Sequence, residues 1–167
     1  VALSGGIDSL VTAAMLQERG NNLIGMHFIN GYEADFDDAD SQSNDQPHIA
    51  NVMERARIRL IRMTNRLRIP IHVVDMRSEF QSQVVDYFTQ TYQSGKTPNP
   101  CLTCNPSIKF GILLEKARSF GATHLATGHY ARIRTSAKGR MQLFRGKDPQ
   151  KEQSYFLARL TQGQLAS

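Results

Sequence analysis

Short apolar segments alternate along this chain of 167 residues with longer segments of helical periodicity. The apolar segments have the length of strands, and helix-period segments lie between them. This alternation is typical of parallel βαβ units and predicts an α/β fold, a three-layer sandwich around a parallel twisted sheet. The predicted strands are 1–3, 23–29, 71–75 and 123–128, and the predicted helices are 9–20, 49–68, 79–93 and 107–120.

The pattern changes toward the end of the chain. Residues 130–134 and 141–145 read as two short strands, and the segment 136–140 between them is rich in turn formers. We therefore predict a C-terminal β-hairpin with exposed arginines, followed by a helix-like stretch at 156–167. Residues 30–47 are polar and acidic, and they are predicted to form a flexible or partly disordered surface loop.

The chain carries a net charge of +5, from 20 Lys and Arg against 15 Asp and Glu. An excess of positive charge favours polyanionic partners through long-range attraction. Six arginines are concentrated in residues 55–68. Two interpretations of that segment stay open, namely the solvated face of an amphipathic helix and a contact surface for RNA.

No segment approaches the roughly 18 consecutive apolar residues that cross a bilayer. A membrane partner is therefore not expected, and the predicted location is cytoplasmic. The chain starts inside the apolar run Val1 to Leu3 and stops in a helix-like stretch, which predicts a fragment of a longer protein. Organellar targeting stays open because the native N-terminus would then be missing.

A glycine-rich segment lies between the first predicted strand and the first predicted helix. It reads Ser4-Gly5-Gly6-Ile7-Asp8-Ser9. Adjacent glycines let backbone N–H groups approach a phosphate, and the N-terminus of a helix favours an anion. The serines supply hydroxyl donors, and Asp8 is suited to hold a Mg²⁺ ion that bridges phosphates. The alternative is a tight turn with an N-capping Asp or Ser.

Residues 97–110 hold the two cysteines of the chain, Cys101 and Cys104, among three prolines. The prolines predict a rigid, non-helical loop that precedes a helix starting near Ser107. Such a loop can present a thiol at a helix N-terminus, where the dipole lowers its pKa, and Lys109 adds positive charge nearby. The C-x-x-C spacing also suits a metal-binding pair, and the remaining alternative is a buried, inert pair.

Four blocks of sequence carry a resemblance to a known family. They are Ser-Gly-Gly-Ile-Asp-Ser at 4–9, Thr-Pro-Asn-Pro-x-x-x-Cys-Asn-x-x-Ile-Lys-Phe at 97–110, Ala-Thr-Gly-His-Tyr-Ala-Arg at 126–132 and Arg-Gly-Lys-Asp-x-x-Lys-Glu-Gln-Ser-Tyr-Phe-Leu at 145–157. In this order and spacing, the blocks resemble the MnmA-type tRNA-specific 2-thiouridylases of the PP-loop, adenine nucleotide α-hydrolase-like superfamily. The resemblance implies that residues 1–167 are a PP-loop ATP-binding catalytic domain.

The resemblance further implies an ATP-dependent thiolation of tRNA. ATP would adenylate the C2 oxygen of a uridine at the anticodon wobble position, and sulfur would then displace AMP. The implied partners are tRNA, ATP with Mg²⁺, and a persulfide or sulfide donor. The implied site residues are Cys104 and Cys101 for catalysis, Asn99, Lys151, Glu152 and Gln153 for tRNA, and Ser4, Gly5, Gly6, Asp8, Ser9, Phe28 and Gly128 for ATP.

Two positions near the implied nucleotide site have second interpretations. Phe28 lies at the end of the second predicted strand, where the superfamily packs the adenine, but it also suits the apolar core. His129 follows Gly128 at the carboxyl edge of the sheet, where open α/β sheets bind ligands. This histidine either touches the nucleotide or caps the strand.

The chain departs from the family pattern at residue 101, where the family usually has an aspartate. Cys101 there gives a second thiol beside Cys104, and the family's other catalytic cysteine is absent from these residues. Two thiolates do not complete a metal site. We therefore hypothesise a [4Fe–4S] cluster held by Cys101, Cys104 and a third cysteine outside this chain. The competing hypothesis is a redox-active dithiol that feeds a persulfide.

Two further functions compete with tRNA thiolation. One is a PP-loop enzyme of another subclass, either an amide-forming ligase or a sulfur transferase that acts on a small molecule. The other is a non-catalytic RNA- or metal-binding module with the same fold.

Overall fold

The computed structural model of the protein describes residues 1–32 and 49–167. Two parallel strands form its centre, because β1 (Gly25–Ile29) and β2 (Ile71–Asp75) pair in register from their first residues to their last. Parallel strands need a long crossover connection, and here the connection contains a helix. Most of the predicted acidic loop at 30–47 lies outside the described residues.

Two extended segments continue the sheet beyond β1. Ala2 forms a parallel bridge with Met26, and its N–H donates to the carbonyl of Ala126 at 2.8 Å. The order across the sheet is therefore the segment of Ala126, the N-terminal segment, β1 and β2. The prediction of full strands at 1–3 and 123–128 is wrong in extent. Residues 1–3 form one isolated bridge, Ala2 with Met26, and residues 123–128 meet them at one backbone hydrogen bond.

Helices occupy most of the remaining described chain. Two segments of wider π-helical turns, Gln81–Val85 and Asn105–Leu113, join α-helices into the continuous helical stretches 77–93 and 101–119. The helices are α1 (Ile7–Glu18), α2 (Ile49–Met63), α3 (Arg77–Phe80), α4 (Asp86–Gln93), α5 (Cys101–Cys104), α6 (Leu114–Ser119) and α7 (Gln162–Leu165). Of the predicted helices, 49–68 ends early at Met63, and 107–120 begins early at Cys101.

The sheet buries both of its faces, because successive side chains of a strand point to opposite sides. On one face, Val1 and Leu3 pack with Ala13 of α1 and Leu60 of α2. On the other face, a second cluster joins β1 to the helical stretches 77–93 and 101–119, and it consists of Met26, Met76, Val84, Ile108, Leu113 and Ala117. The predicted three-layer α/β sandwich is confirmed.

The C-terminal part adds the predicted hairpin. β3 (Ala131–Thr135) and β4 (Met141–Arg145) pair antiparallel, as the alternation of their residues predicts. The helix-like stretch at 156–167 is wrong as one helix, because it contains the end of a 3₁₀ turn (Ser154–Leu157) and the short α7. A third apolar cluster anchors this part to the helical stretch 101–119 and consists of Phe110, Leu114, Leu125 and Leu157.

The wide turns after α5 accommodate a proline inside a helix. Pro106 lacks an N–H and would disturb a regular α-helix. Gln164 of α7 donates from Nε2 to the carbonyl oxygens of Pro106 at 2.7 Å and Phe110 at 3.1 Å, so the carbonyls in the widened stretch have side-chain partners. These hydrogen bonds hold α7 against the helical stretch 101–119, which carries both cysteines.

Among residues 1–32 and 49–167, no helix combines the length and apolar composition that a membrane crossing requires.

The widened helix leads to a prediction for Gly111. A Cβ at this position would lie 2.9 Å from the carbonyl oxygen of Pro106, which is backbone and also holds Gln164. We therefore expect Gly111→Ala to lower the free energy of unfolding by about 1–2 kcal/mol, although alanine is normally the better helix former. Urea unfolding followed by circular dichroism measures the change.

Gly163→Ala is the matched control. Gly163 lies in α7, where an added Cβ would meet no atom within 4 Å. This variant should raise the free energy of unfolding by about 0.5–1 kcal/mol, because alanine restricts the unfolded chain. Stabilisation by both substitutions would contradict the close approach at Gly111.

Candidate functional site

The glycine-rich segment forms an exposed turn that leads from the sheet edge into α1. Gly5 has a φ of 81°, a left-handed conformation that side chains rarely adopt. Gly6 precedes α1 in an extended conformation, and within the described residues no side chain caps this helix end. The first-turn N–H groups of α1 therefore stay available to an anion.

Two serine hydroxyls brace the turn from within. Ser9 is buried, and its Oγ donates to the carbonyl of Gly6 at 2.8 Å. Ser4 is exposed; its Oγ accepts from the Gly6 N–H at 3.3 Å and lies 3.4 Å from Ser9 Oγ. Ser9 thus shapes the loop, while the exposed hydroxyl of Ser4 can contact a ligand. The hydroxyls, the uncapped N–H groups and the carboxylate of Asp8 together suit a phosphate with a bound cation.

Gly128 lies directly against this turn. A Cβ at residue 128 would stand 2.9 Å from both the carbonyl carbon of Asp8 and the nitrogen of Ser9. Contacts this short are not compatible with a side chain, so glycine is needed for the two segments to approach. The structure therefore brings together two parts of the implied ATP site that lie far apart in the sequence.

Phe28 has the packing of a residue at the margin of the core. It is half-buried in β1, packs against the cluster that contains Met26, and has its ring 6.5 Å from that of Phe80. A contact with adenine stays a prediction for this residue.

Tyr130 connects the glycine-rich turn to the segment implied in tRNA binding. Its hydroxyl donates to Oδ1 of Asp8 at 2.8 Å. Its backbone N–H donates to Oε1 of Gln153, and its carbonyl accepts from the N–H of Gln153, both at 3.1 Å. The ammonium of Lys151 lies 5.2 Å from the centre of the Tyr130 ring, within range of a cation–π contact.

Glu152 differs from its two neighbours in the implied tRNA-binding set. Its carboxylate accepts from the N–H of Ser154 at 2.5 Å and from the N–H of Gly146 at 2.6 Å. Hydrogen bonding from Ser154, supported by that from Gly146, holds the pKa of Glu152 below its usual range. These contacts make Glu152 an organiser of the local backbone, whereas Lys151 is exposed and can reach a phosphate.

The two cysteines lie in the first turn of a helix. The carbonyls of Asn99 and Pro100 already accept helical hydrogen bonds, including one from the N–H of Cys104 at 2.7 Å. The predicted non-helical loop up to Ser107 is therefore wrong. Side chains three positions apart share a helix face. Cys101 is exposed and Cys104 is half-buried.

The thiol of Cys104 does not have the lowered pKa expected from the sequence. Cys104 packs against the buried cluster around Met26. This burial raises the pKa of Cys104, while the positive charge of Lys109 partly opposes the shift. Desolvation of the thiolate therefore outweighs the attraction of the Lys109 charge.

His129 follows Gly128, and the positive charge of Lys109 acts on its imidazole as well. Burial lowers its pKa to about 4, and the charge of Lys109 acts in the same direction. Its Nδ1 lies 2.7 Å from Oγ1 of Thr127. The imidazole is therefore neutral near physiological pH. Contact with the nucleotide and capping of the strand both stay predictions for this residue. The positive charge of Lys109 lowers the pKa of both Cys104, in the cysteine turn, and His129, at the sheet edge.

Sequence reasoning missed Tyr130 as a site residue. Its position directly after Gly128 and His129, at the carboxyl edge of the sheet, was the available signal. Asn99 is half-buried at the start of the cysteine helix. Within residues 1–32 and 49–167, no group of three or more His, Cys, Asp or Glu side chains is placed to hold a metal ion.

Comparison with known proteins agrees with this arrangement. The chain is 46% identical over 165 residues to the tRNA-specific 2-thiouridylase MnmA of Desulfosudis oleivorans, covering 99% of this chain and 40% of the relative. It is 46% identical over 166 residues to the MnmA of Geobacter metallireducens, with coverage of 99% and 44%, and 38% identical over 165 residues to that of Lactococcus lactis, with coverage of 99% and 41%.

The chain thus spans about two fifths of the length of these relatives. A family model described as the tRNA methyl transferase HUP domain matches residues 1–167. On this match over its whole length, the chain belongs to the tRNA methyl transferase HUP domain family.

Proposed function

We propose that residues 1–167 form the ATP-binding catalytic domain of a tRNA-uridine 2-sulfurtransferase. The reaction adenylates the C2 oxygen of a uridine, at the wobble position of the anticodon, and replaces it with sulfur, releasing pyrophosphate and AMP. One observation carries the proposal: residues 128–130 join the glycine-rich turn to the segment 151–153, through the close approach of Gly128 and the hydrogen bonds of Tyr130. The proposed location is the cytoplasm.

The glycine-rich turn is proposed to bind ATP. Bound ATP with its Mg²⁺ ion supplies an adenylyl group that makes the uridine oxygen a good leaving group. The N–H groups of Gly5 and the first turn of α1 would hold the phosphates, and Asp8 would hold the cation. Ser4 and Ser9 support the turn, Gly128 gives the close approach, and Phe28 would lie near the adenine.

The segment that follows the hairpin is proposed to contact tRNA. Lys151 is exposed and can pair with a phosphate, and Gln153 holds the segment to Tyr130. Asn99, at the start of the cysteine helix, is proposed to meet the target base. Glu152 serves this segment by holding its backbone. The net charge of +5 adds attraction for a polyanion that carries no sequence information.

Cys104 is proposed to carry out the sulfur chemistry at the activated base. A thiolate is the reactive form of cysteine, and burial disfavours it here. Lys109 offsets part of that effect, so substrate charge and solvent exclusion around the cysteine helix will set its reactivity. A sulfur nucleophile attacks C2 of the uridine, and AMP leaves with the original oxygen.

The sulfur is proposed to come from a persulfide or sulfide donor by way of a [4Fe–4S] cluster. Cys101 and Cys104 share a helix face and would supply two thiolates, and the chain holds two cysteines in total. A third cysteine from outside these residues would complete the cysteine ligands. With a sulfide donor, such a cluster would present sulfide at an iron without a cysteine ligand. A persulfide donor would require in addition a dithiol reductant, which gives up two electrons and becomes a disulfide. The competing role of the pair is a redox-active dithiol.

Pyrophosphate release tests the ATP step. In the full-length protein, release from ATP should require unmodified tRNA, and Asp8→Ala should reduce it by about 100-fold, because the cation loses its carboxylate ligand. Glu18→Ala removes an exposed carboxylate from the same helix and should leave release unchanged. Release that is independent of tRNA would favour a PP-loop enzyme of another subclass.

Cys104→Ser separates activation from sulfur transfer. We expect this variant to release pyrophosphate in a tRNA-dependent manner while forming no 2-thiouridine, which mass spectrometry of digested tRNA detects. Thiolation by Cys104→Ser would contradict the role assigned to the thiol. Absence of pyrophosphate release from every form, with ATP and tRNA still bound, would favour the non-catalytic module.

The alkylation rate of Cys104 reports the pKa of its thiol. With Cys101→Ser as background, iodoacetamide modification should rise with pH to a midpoint above that of an unstructured cysteine peptide, because burial disfavours the thiolate. Lys109→Met should move the midpoint higher still, since it removes a stabilising cation. Lys116→Met, in α6, is the matched control and should change nothing. A midpoint below that of the peptide would restore the view that the helix dipole dominates.

Iron and acid-labile sulfide analysis tests the cluster. Anaerobically purified full-length protein should contain about 4 iron atoms per chain, as a [4Fe–4S] cluster requires, and Cys101→Ser and Cys104→Ser should each lose most of them. Full thiolation activity without iron would end the cluster hypothesis and leave the dithiol.

A further inference from the structure

We propose that Tyr130 is a positioning residue that orients Asp8 for its cation and couples that site to the RNA-contacting segment at Lys151 and Gln153. The inference rests on the proposed function, and it assigns to Tyr130 a role in joining the two binding sites.

The hydroxyl of Tyr130 fixes one oxygen of Asp8. Its donation to Oδ1 at 2.8 Å orients a carboxylate that is otherwise exposed at the start of α1. A carboxylate has two oxygens, so this contact leaves Oδ2 to bind a cation. Carboxylates that bind metals are commonly oriented in this way by hydrogen-bonding partners, and loss of such a partner typically costs about 10- to 100-fold in metal affinity or activity.

The backbone of Tyr130 is held on both sides. Toward the nucleotide side, Gly128 is packed on the backbone of Asp8 and Ser9 at a distance that excludes a Cβ. Toward the RNA side, Tyr130 and Gln153 exchange two hydrogen bonds of 3.1 Å. A displacement of the segment that contains Gln153 therefore moves Tyr130, and a displacement of Tyr130 moves its hydrogen bond to Asp8.

RNA bound at Lys151 would restrict the motion of Tyr130, because the lysine lies over the tyrosine ring. Its ammonium stands 5.2 Å from the centre of the Tyr130 ring and is exposed to solvent. A phosphate that binds Lys151 immobilises the segment against the ring. A cation at Asp8 immobilises the same ring from its hydroxyl end. The ligand that binds first therefore orders Tyr130, and the second ligand loses less conformational entropy when it binds. The coupling between the two sites is positive and reciprocal.

Binding of Mg²⁺ with α,β-methylene-ATP to the full-length protein tests this inference without turnover. Isothermal titration is performed with and without unmodified tRNA, on the wild type and on Tyr130→Phe. The substitution keeps the ring over which Lys151 stands and removes the hydroxyl alone. Tyr92→Phe is the matched control, because Tyr92 is an exposed tyrosine of α4.

We expect Tyr130→Phe to weaken binding of the nucleotide with Mg²⁺ by about 10-fold. Without divalent cation, the two proteins should bind the nucleotide equally, because the hydroxyl acts through the carboxylate that holds the cation. Unmodified tRNA should tighten nucleotide binding to the wild type and to Tyr92→Phe, and this tightening should disappear in Tyr130→Phe.

The other outcomes overturn the inference in distinguishable ways. If the wild type does not bind the nucleotide with Mg²⁺, the proposed function fails and the inference fails with it. If the wild type binds and Tyr130→Phe binds equally well with the same response to tRNA, the inference alone is wrong. Weakening that is equal with and without Mg²⁺ would show a general structural defect and would remove the positioning role.

Discussion

The site depends on the close approach of residue 128 to the start of α1. With 2.9 Å between an ideal Cβ and two backbone atoms of Asp8 and Ser9, glycine is the residue that permits this contact. Because residues 129 and 130 follow directly in the chain, this contact also places the hydroxyl of Tyr130 within hydrogen-bonding distance of Asp8. A larger residue at 128 would separate the glycine-rich turn from the segment that leads into the hairpin. Tyr130 would then no longer link the nucleotide half of the proposed site to the RNA half.

A second constraint is the balance between burial and charge around Cys104. The thiol packs against the core cluster, which anchors the cysteine helix but raises the pKa of the thiol. Lys109 opposes this effect at the cysteine, and at His129 its charge adds to burial in lowering the pKa of the imidazole. A resting thiol that is poorly ionised is protected from unproductive oxidation or alkylation. Its activation would then depend on what binds beside it, which agrees with the proposed reaction, in which an activated base arrives first.

The sequence was a good guide to the layers and a poorer guide to local detail. Apolar periodicity correctly predicted the parallel pair β1 and β2 and the helices on both faces, because burial of those side chains decides the layers. It overestimated the strands at residues 1–3 and 123–128. The first segment forms one isolated bridge to β1, and the second meets the first at one backbone hydrogen bond. The prolines suggested a loop up to Ser107, yet the π-helical turns absorb Pro106 inside a helix that begins at Cys101.

The same tertiary contacts explain why the site residues were harder to predict than the fold. The thiol of Cys104 was expected to be acidic from its place at a helix start, but the sequence does not show which side of the helix is buried. Tyr130 gains its importance from a partner 122 positions away. Pairs of residues this far apart in the sequence can be identified from the folded structure. Glycine-rich and C-x-x-C motifs are contiguous and can be recognised in the sequence itself.

The cysteine helix is also tied to the chain that follows the segment 151–153. Asn105 is buried and donates from Nδ2 to the carbonyl of Phe156 at 2.9 Å, just after the segment 151–153. Gln164 fastens the same helix through two carbonyls at its widened turns. Because buried polar groups are costly to leave without partners, these contacts resist independent movement of the two elements. Under the proposed function, RNA bound at Lys151 would be held at a fixed position relative to the cysteine turn, as the proposed transfer of sulfur to one defined base requires.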